Sequence, residues 1–102
     1  MVTGASGVVG YNLCKRLLDI PYCDVHVNYL NPPGINFKNL LRASNHHVFD
    51  ITDLDKIDTL PQFDVIFHCA IIGGSRLKTD SYFEMDCNLK MYYNLHQLHS
   101  SY

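Results

Sequence analysis

The sequence predicts an α/β protein with a doubly wound parallel sheet. Short apolar, β-branched segments alternate along the chain with longer segments of helical period. A glycine-rich turn separates the first such segment from the first helix. Strands separated by crossover helices lie parallel, with helices on both faces of the sheet. The 102 residues suffice for one small domain.

Four short strands are expected, over residues 1–3, 24–29, 46–49 and 64–68. In the second, Val25, Val27 and Tyr29 point to one side, which is the alternation of a strand. The fourth contains the unbroken apolar run 65–67, which is typical of a strand buried on both faces.

Helices are expected over residues 8–19, 37–42, 53–60 and 80–100. In the first, Val9, Leu13 and Leu17 form one apolar row, and the adjacent row runs from Gly10 through Cys14. Residues 31–34 and 73–75 have the composition of loops.

The last helix carries two apolar stripes. The stripe expected to face the sheet consists of Phe83, Cys87, Met91, Leu95 and Leu98. The opposite stripe consists of Met85, Leu89 and Tyr92. It is expected either to be covered by later chain or to form a subunit contact.

The sharpest motif is the glycine loop between the first strand and the first helix. Gly4 permits a tight turn, Gly7 leaves room for a pyrophosphate beside the main chain, and Gly10 lets the helix pack closely. The first N–H groups of the helix then point at the phosphates. A purely structural turn is the alternative. A P-loop is excluded because Tyr11, and not lysine, follows Gly10.

Four landmarks in order resemble the extended short-chain dehydrogenase/reductase family, the NAD-dependent epimerases and dehydratases. They are the loop at residues 3–10, the Asp50-Ile51 pair, the run 64–70 with its His-x-Ala ending, and Asn88-Leu89. The resemblance implies a Rossmann-like sheet, incomplete, with four strands in the order 3-2-1-4. It also implies cofactor-binding positions at Gly4, Ala5, Ser6, Gly7, Val8, Val9, Gly10, Asn28, Tyr29, Asp50, Ile51, Cys69, Ala70, Ile71 and Asn88.

The implied function is that of the dinucleotide-binding N-terminal segment of a nucleotide-sugar epimerase, dehydratase or reductase. The cofactor is NAD or NADP, since the second strand ends with neither an acidic residue nor an arginine. Asn28 is expected either to bind a ribose hydroxyl or to face solvent. Gly73-Gly74 and Asn88-Leu89-Lys90-Met91 are similar to GDP-fucose synthase and its relatives. The resemblance also implies a homodimer through the last helix.

No catalytic residue is assigned in this chain. The Tyr-x-x-x-Lys motif of the family belongs after a fifth strand, and the sequence given stops at Tyr102. The string from Tyr11 to Lys15 comes too early and is interpreted as coincidence. Residues 1–102 are therefore expected to be part of a dinucleotide-binding domain, without a substrate domain. The alternatives are a non-enzymatic dinucleotide-binding or redox-sensing module and a non-functional gene fragment.

Composition narrows the function further. A net charge of −2 without a basic cluster argues against nucleic-acid binding, and the apolar runs are too short to span a membrane. Four cysteines without a C-x-x-C pair and no secretion signal predict reduced thiols in the cytoplasm. No metal is expected, because the pairs His46-His47 and His96-x-x-His99 lack further ligands. His68 is expected either to touch the cofactor or to have a structural role.

Overall fold

The computed structural model describes residues 1–30, 45–71 and 81–98. Strands and helices alternate in the order β1 (Val2–Thr3), α1 (Val8–Leu18), β2 (His26–Tyr29), β3 (Asn45–Val48), α2 (Leu54–Ile57), β4 (Phe67–His68) and α3 (Tyr82–His96). The helix predicted over 37–42 and the loops predicted at 31–34 and 73–75 lie outside the described residues.

The described strands form one sheet in the order β3-β2-β1-β4, and every pair is parallel. Val2 of β1 lies opposite Val27 of β2 on one side and Phe67 of β4 on the other. The predicted fold class and strand order are therefore confirmed. The reversal of chain order between β1 and β4 creates a crevice at the carboxyl edge of the sheet.

Each face of the sheet carries its own apolar core. The α1 side consists of Val2, Ala5, Cys14, Val25 and Val27. The α3 side consists of Met1, Ile51, Ile57, Phe63, Met91, Leu95 and Leu98. Because β1 is central and has two residues, Val2 and Met1 between them connect the sheet to both cores.

Helix α1 packs through Gly10 and Cys14, both buried. Leu13 and Leu17 of the predicted apolar row pack against the core, but Val9, the first residue of that row, is 71% exposed. The helix begins at the carboxyl edge of a two-residue strand, so the side chains of Val8 and Val9 at its start extend beyond the sheet and are exposed among the described residues.

Helix α3 begins with a capping box, in which the Ser81 hydroxyl accepts from the Glu84 N–H and the Glu84 carboxylate accepts from the Ser81 N–H. Met91, Leu95 and Leu98 are buried as predicted, but Phe83 of the same stripe is 74% exposed. A helix of 15 residues is roughly 22 Å long and overshoots a sheet whose β4 has two residues. The opposite stripe is exposed throughout.

Strand β4 is not buried on both faces as predicted. Ile66 packs against the α3-side core, whereas Val65 and Phe67 on the other face are 53% and 39% exposed. β4 is an edge strand of the described sheet, and no described element covers that face.

The close contact between α1 and the glycine loop predicts a large effect of substitution at Gly10. A Cβ atom at Gly10 would lie 2.3 Å from the Gly4 carbonyl oxygen. Gly10→Ala should therefore lower the free energy of unfolding by about 1–3 kcal/mol, because backbone must shift. At Gly7 a Cβ atom would meet only the Gly4 oxygen, at 3.4 Å, so Gly7→Ala is the matched control. Urea unfolding measures both, and equal losses would contradict the contact.

Candidate functional site

The glycine loop lies directly against the end of β4. Gly4 has φ of +64°, a conformation that L side chains rarely adopt. A Cβ atom at Gly4 would lie 2.7 Å from the Ala70 nitrogen. The Gly7 N–H donates to the Gly4 carbonyl at 3.0 Å and closes the turn. The loop and the residues after β4 therefore form the two walls of a narrow crevice.

The N-terminus of α1 opens into this crevice without a cap. Gly7 is the N-cap residue and supplies no side chain, and the first turn contains no acidic residue. The first intrahelical bond runs from the Tyr11 N–H to the Gly7 carbonyl at 2.9 Å. The N–H groups of the three preceding residues consequently lack intrahelical acceptors and lie at the positive end of the helix dipole. Such a terminus suits an anion.

Gly7 differs from the other two glycines of the loop because nothing in the described chain requires it. Its φ of −83° and ψ of 171° suit any residue. Its side-chain direction is open, whereas Gly4 and Gly10 both face backbone closer than 3 Å. Serine or aspartate would cap the helix better. A glycine here leaves open a space beside the helix N-terminus that a side chain would occupy.

The hydroxyl of Thr3 fixes the residues after β4, which form the second wall of the crevice. Its oxygen accepts from the N–H groups of Cys69 at 3.1 Å and Ala70 at 3.2 Å, and lies 2.7 Å from Nδ1 of His68. Because these N–H groups occupy both lone pairs, the Thr3 hydroxyl donates to Nδ1. His68 is therefore neutral, with its proton on Nε2. Burial also lowers the pKa of His68, which favours the same neutral form.

Asn28 is buried, at 2% exposure, and does not face solvent. Its Nδ2 donates to the carbonyl oxygens of His47 at 3.0 Å and Phe49 at 3.1 Å. Both amide hydrogens are thereby used to attach β3 to β2, since a primary amide has two. Only Oδ1, an acceptor, remains for another partner.

The Asp50-Ile51 pair follows β3 at the same edge. Oδ1 of Asp50 accepts from the N–H and hydroxyl of Thr52 at 2.9 and 2.8 Å, which leaves Oδ2 as its other acceptor. The Ile51 side chain is buried, and its carbonyl accepts from Nδ2 of Asn94 at 2.9 Å. The turn is therefore fixed by the hydrogen bonds between Asp50 and Thr52 within it and by the bond from Asn94 of α3.

These elements enclose a cleft of about 330 Å³, within the size range of small-molecule sites. Its lining includes these sequence-predicted residues: Gly4, Ser6, Gly7, Asn28, Tyr29, Asp50, Ile51, Cys69, Ala70 and Ile71. It also includes Leu30, Phe49 and Met91, which the sequence did not single out. The sequence held a signal for each of them. Leu30 and Phe49 adjoin predicted site residues, and Met91 belongs to the stripe of the last helix that was expected to face the sheet.

Five predicted residues do not line the cleft. Ala5 is fully buried and donates its N–H to the Asn28 carbonyl at 3.1 Å. Gly10 packs against Gly4, and the side chains of Val8 and Val9 are exposed. Asn88 is partly buried on α3, three residues before Met91. At positions 8 and 9 only the main chain can serve a ligand in the cleft.

A larger cavity of about 470 Å³ lies at the opposite edge of the sheet. Its lining includes Asp24, Val25 and residues 61–65, which precede β2 and β4. Ligands of open α/β sheets bind outside the carboxyl ends of the strands, so its size does not make it the better candidate. It also lacks the glycine loop.

The remaining sequence candidates have local partners. Lys15 lies over the ring of Tyr11 at 5.7 Å, a contact within one helix face. His46 and His47 are half-buried, not exposed as expected, because His46 contacts Tyr29 and His47 contacts His26 on the neighbouring strand β2. The described residues contain no group of three metal ligands, and none of their helices could cross a membrane. All four cysteines are free, although only Cys14 is fully buried.

Comparison with known proteins gives three findings. The sequence model of the NAD dependent epimerase/dehydratase family matches residues 1–101. The crystal structure of gox2253 is similar to this chain, with a TM-score of 0.67 and 25% identity over 95% of the chain. The chain spans 29% of the length of that structure. No curated protein matches significantly.

The neutral state of His68 predicts a dependence of stability on pH. The pKa of His68 in the folded chain lies below its ordinary value of 6.5, so the unfolded chain takes up the proton first. The contribution of His68 to stability should be constant above about pH 6.5 and fall as the pH drops through the folded pKa. His68→Asn keeps an acceptor for Thr3 but does not titrate, so it should reduce the decline. Thermal unfolding from pH 8 to 5 measures this, and identical profiles would contradict the bonding pattern.

Proposed function

Because the chain belongs to the NAD-dependent epimerase/dehydratase family, we propose that it binds a nicotinamide dinucleotide across the carboxyl edge of its sheet. The observation that carries this proposal is the open space at Gly7, beside an uncapped helix N-terminus. The bound nicotinamide supplies the hydride acceptor or donor. The residues of this chain bind and orient it.

The proposed contacts follow the cleft from one side to the other. The main-chain N–H groups at Val8 and Val9 bind the diphosphate, where the helix dipole favours negative charge and Gly7 leaves space for the phosphate oxygens. The turn at Asp50 and Ile51 holds the adenine, and residues 69–71 flank the nicotinamide half. Thr3 contributes indirectly, because it fixes the main chain of Cys69 and Ala70.

We also propose NAD, and not NADP, as the cofactor. The cleft lining in the described part of the chain contains the carboxylate of Asp50 and no lysine or arginine. The two amide hydrogens of Asn28 are already used, and its free Oδ1 can accept from a ribose hydroxyl but cannot donate to a phosphate. Among the described lining residues, a 2′-phosphate would therefore lose its hydration without gaining a lysine, an arginine or the amide of Asn28 as a donor.

For the complete protein we propose hydride transfer between the nicotinamide and a sugar carbon of a nucleotide sugar, with GDP-sugars as the first substrates to try. This proposal rests on the family to which residues 1–101 belong. This chain offers no residue to which we assign the proton transfer.

The two thiols nearest the central strand, Cys14 and Cys69, give little support to the redox-sensing alternative. Burial raises the pKa of Cys14 to about 11, and burial also raises the pKa of Cys69. Thiolates are the reactive species, and these two thiols remain protonated near neutral pH. We propose that the chain acts in a reducing compartment such as the cytoplasm, with its four cysteines free.

A homodimer through α3 is part of the same proposal. Met85, Leu89 and Tyr92 are 44%, 55% and 53% exposed and lie on one helix face. An apolar face of this kind is stabilised when it is covered. Sedimentation at high concentration measures whether a second copy covers it.

Substitution at Gly7 separates binding from folding. Gly7→Val should weaken NAD binding by about 10- to 100-fold, because the side chain displaces a phosphate whose hydrogen bonds are worth about 1.5–3 kcal/mol each. Its free energy of unfolding should stay within about 0.5 kcal/mol of the parent. Gly7→Ala should show a smaller loss of affinity. Calorimetric titration measures the affinity, and undiminished binding by the valine variant would refute the assignment.

The cofactor preference can be tested on the adenosine half alone. The chain should bind 5′-AMP at least about tenfold more tightly than adenosine 2′,5′-bisphosphate, a difference of about 1.4 kcal/mol. The two ligands differ only in the 2′-phosphate, so the ratio reports that group. Equal affinity for the two, or a preference for the bisphosphate, would contradict the role given to Asn28.

A further inference from the structure

Two histidines join β2 to β3 on the face opposite α1. Nδ1 of His26 lies 2.9 Å from Nε2 of His47. The ring centroids are 5.2 Å apart, and the ring planes differ by 8°. Because 2.9 Å is shorter than a face-to-face contact of about 3.5 Å, the rings meet edge to edge through an N–H···N hydrogen bond.

Asp24 determines which nitrogen carries the proton. Its Oδ2 lies 3.4 Å from Nε2 of His26, and the His26 side chain is 15% exposed. The ring of Phe63 packs edge-on against His26 at 5.0 Å and keeps water from that side. The carboxylate favours a proton on Nε2, so Nδ1 of neutral His26 accepts and Nε2 of His47 donates.

The hydrogen bond between His26 and His47 survives the addition of one proton to the two rings but not of two. When His26 carries protons on both ring nitrogens, its Nδ1 donates and Nε2 of His47 accepts, so the hydrogen bond is kept. A second proton would place two N–H donors 2.9 Å apart and break the bond. Burial lowers the pKa of His47, and His26, His46 and the amino group of Met1 lower it further.

Further polar groups near the pair lie on β3, at the end of β2 and on the residues that precede β2. Oδ1 of Asp24 accepts from Nδ2 of Asn45 at 3.3 Å, so the carboxylate contacts both β2-side and β3 residues. On the opposite face of β3, Nδ1 of His46 lies 3.1 Å from the hydroxyl of Tyr29. Among the described residues, the titratable groups around the His26–His47 pair are Asp24, His46 and the amino group of Met1.

His47 connects this pair to the cleft through its own main chain. Its carbonyl accepts from Asn28, whose Oδ1 is the acceptor that we assign to the ribose. Phe49, Asp50 and Ile51, which follow β3 immediately, line the cleft. β3 is an edge strand of the described sheet, so within that sheet it is held from the β2 side alone, by the parallel ladder of four residue pairs and by these side-chain bonds.

We propose that Asp24, His26 and His47 form a pH-sensitive strap, which fastens β3 to β2 at neutral pH and releases it on acidification. Release moves the carbonyls that Asn28 binds and the turn at Asp50. The strap itself is independent of the proposed function. Its effect on the adenine side of the cleft rests on that function.

The test compares the parent chain with His47→Gln and His96→Gln. Glutamine at position 47 can bond His26 in either protonation state, whereas position 96 is exposed on α3 and serves as the control. Between pH 7.5 and 5.5 the Tm of the parent should fall at least about 4 °C more than that of His47→Gln, and His96→Gln should follow the parent. The stability is lost as pH falls because the unfolded imidazole binds the proton first.

Nitrogen chemical shifts of the parent chain give a readout that needs no variant. The His47 ring should titrate below its ordinary pKa of 6.5 and should show Nε2 protonated at neutral pH. Equal Tm profiles for the parent and His47→Gln, or ordinary titration of His47, would overturn the strap.

Binding distinguishes the strap from the proposed function. NAD affinity of the parent should fall at least about fivefold more than that of His47→Gln over the same pH range. A parent that binds NAD with the same pH dependence as His47→Gln contradicts the link to the cleft. A parent that binds no NAD at pH 7.5 but keeps the Tm difference supports the strap and refutes the proposed function.

Discussion

The structure depends on one close approach between main chains, where the turn at Gly4 meets the backbone of Ala70. A side chain at Gly4 would lie 2.7 Å from the Ala70 nitrogen, so only glycine permits the two to touch. The buried Thr3 hydroxyl fixes the same pair of segments through Cys69 and Ala70. This contact sets the width of the crevice between β1 and β4 and directs the N-terminus of α1 into it.

At the carboxyl edge of the sheet, some polar groups bond within the protein and others remain available to a ligand. Thr3 uses its hydroxyl to hold the segment after β4, and the side-chain amides of Asn28 and Asn94 hold the end of β3 and the turn that follows it. The main-chain amides at the start of α1 and Oδ1 of Asn28 are left to a ligand. The site is therefore built mainly from backbone, which explains why a glycine loop predicts it and why few charged side chains line it.

Strand order, helix order and the position of the site could be predicted because they follow from local periodicity and the glycine loop. Residues such as Val9 and Phe83 were assigned to the wrong environment because periodicity gives the face of a helix but not how far the helix extends beyond a two-residue strand. The burial of Asn28 and the pairing of His26 with His47 depend on the register between β2 and β3. Cross-strand register of this kind has no signal in the sequence of either strand alone.

The central claim is that the glycine loop binds the diphosphate of a dinucleotide, and amide chemical shifts of the isotope-labelled chain test it most directly. On addition of NAD, the amides of Ser6, Gly7 and Val8 should shift together with that of Ile51, since all belong to the cleft at the carboxyl edge or to the helix N-terminus that opens into it. Saturable shifts confined to Asp24, Gln62 and their neighbours, which line the cavity at the opposite edge, would contradict the account, as would no shifts at all.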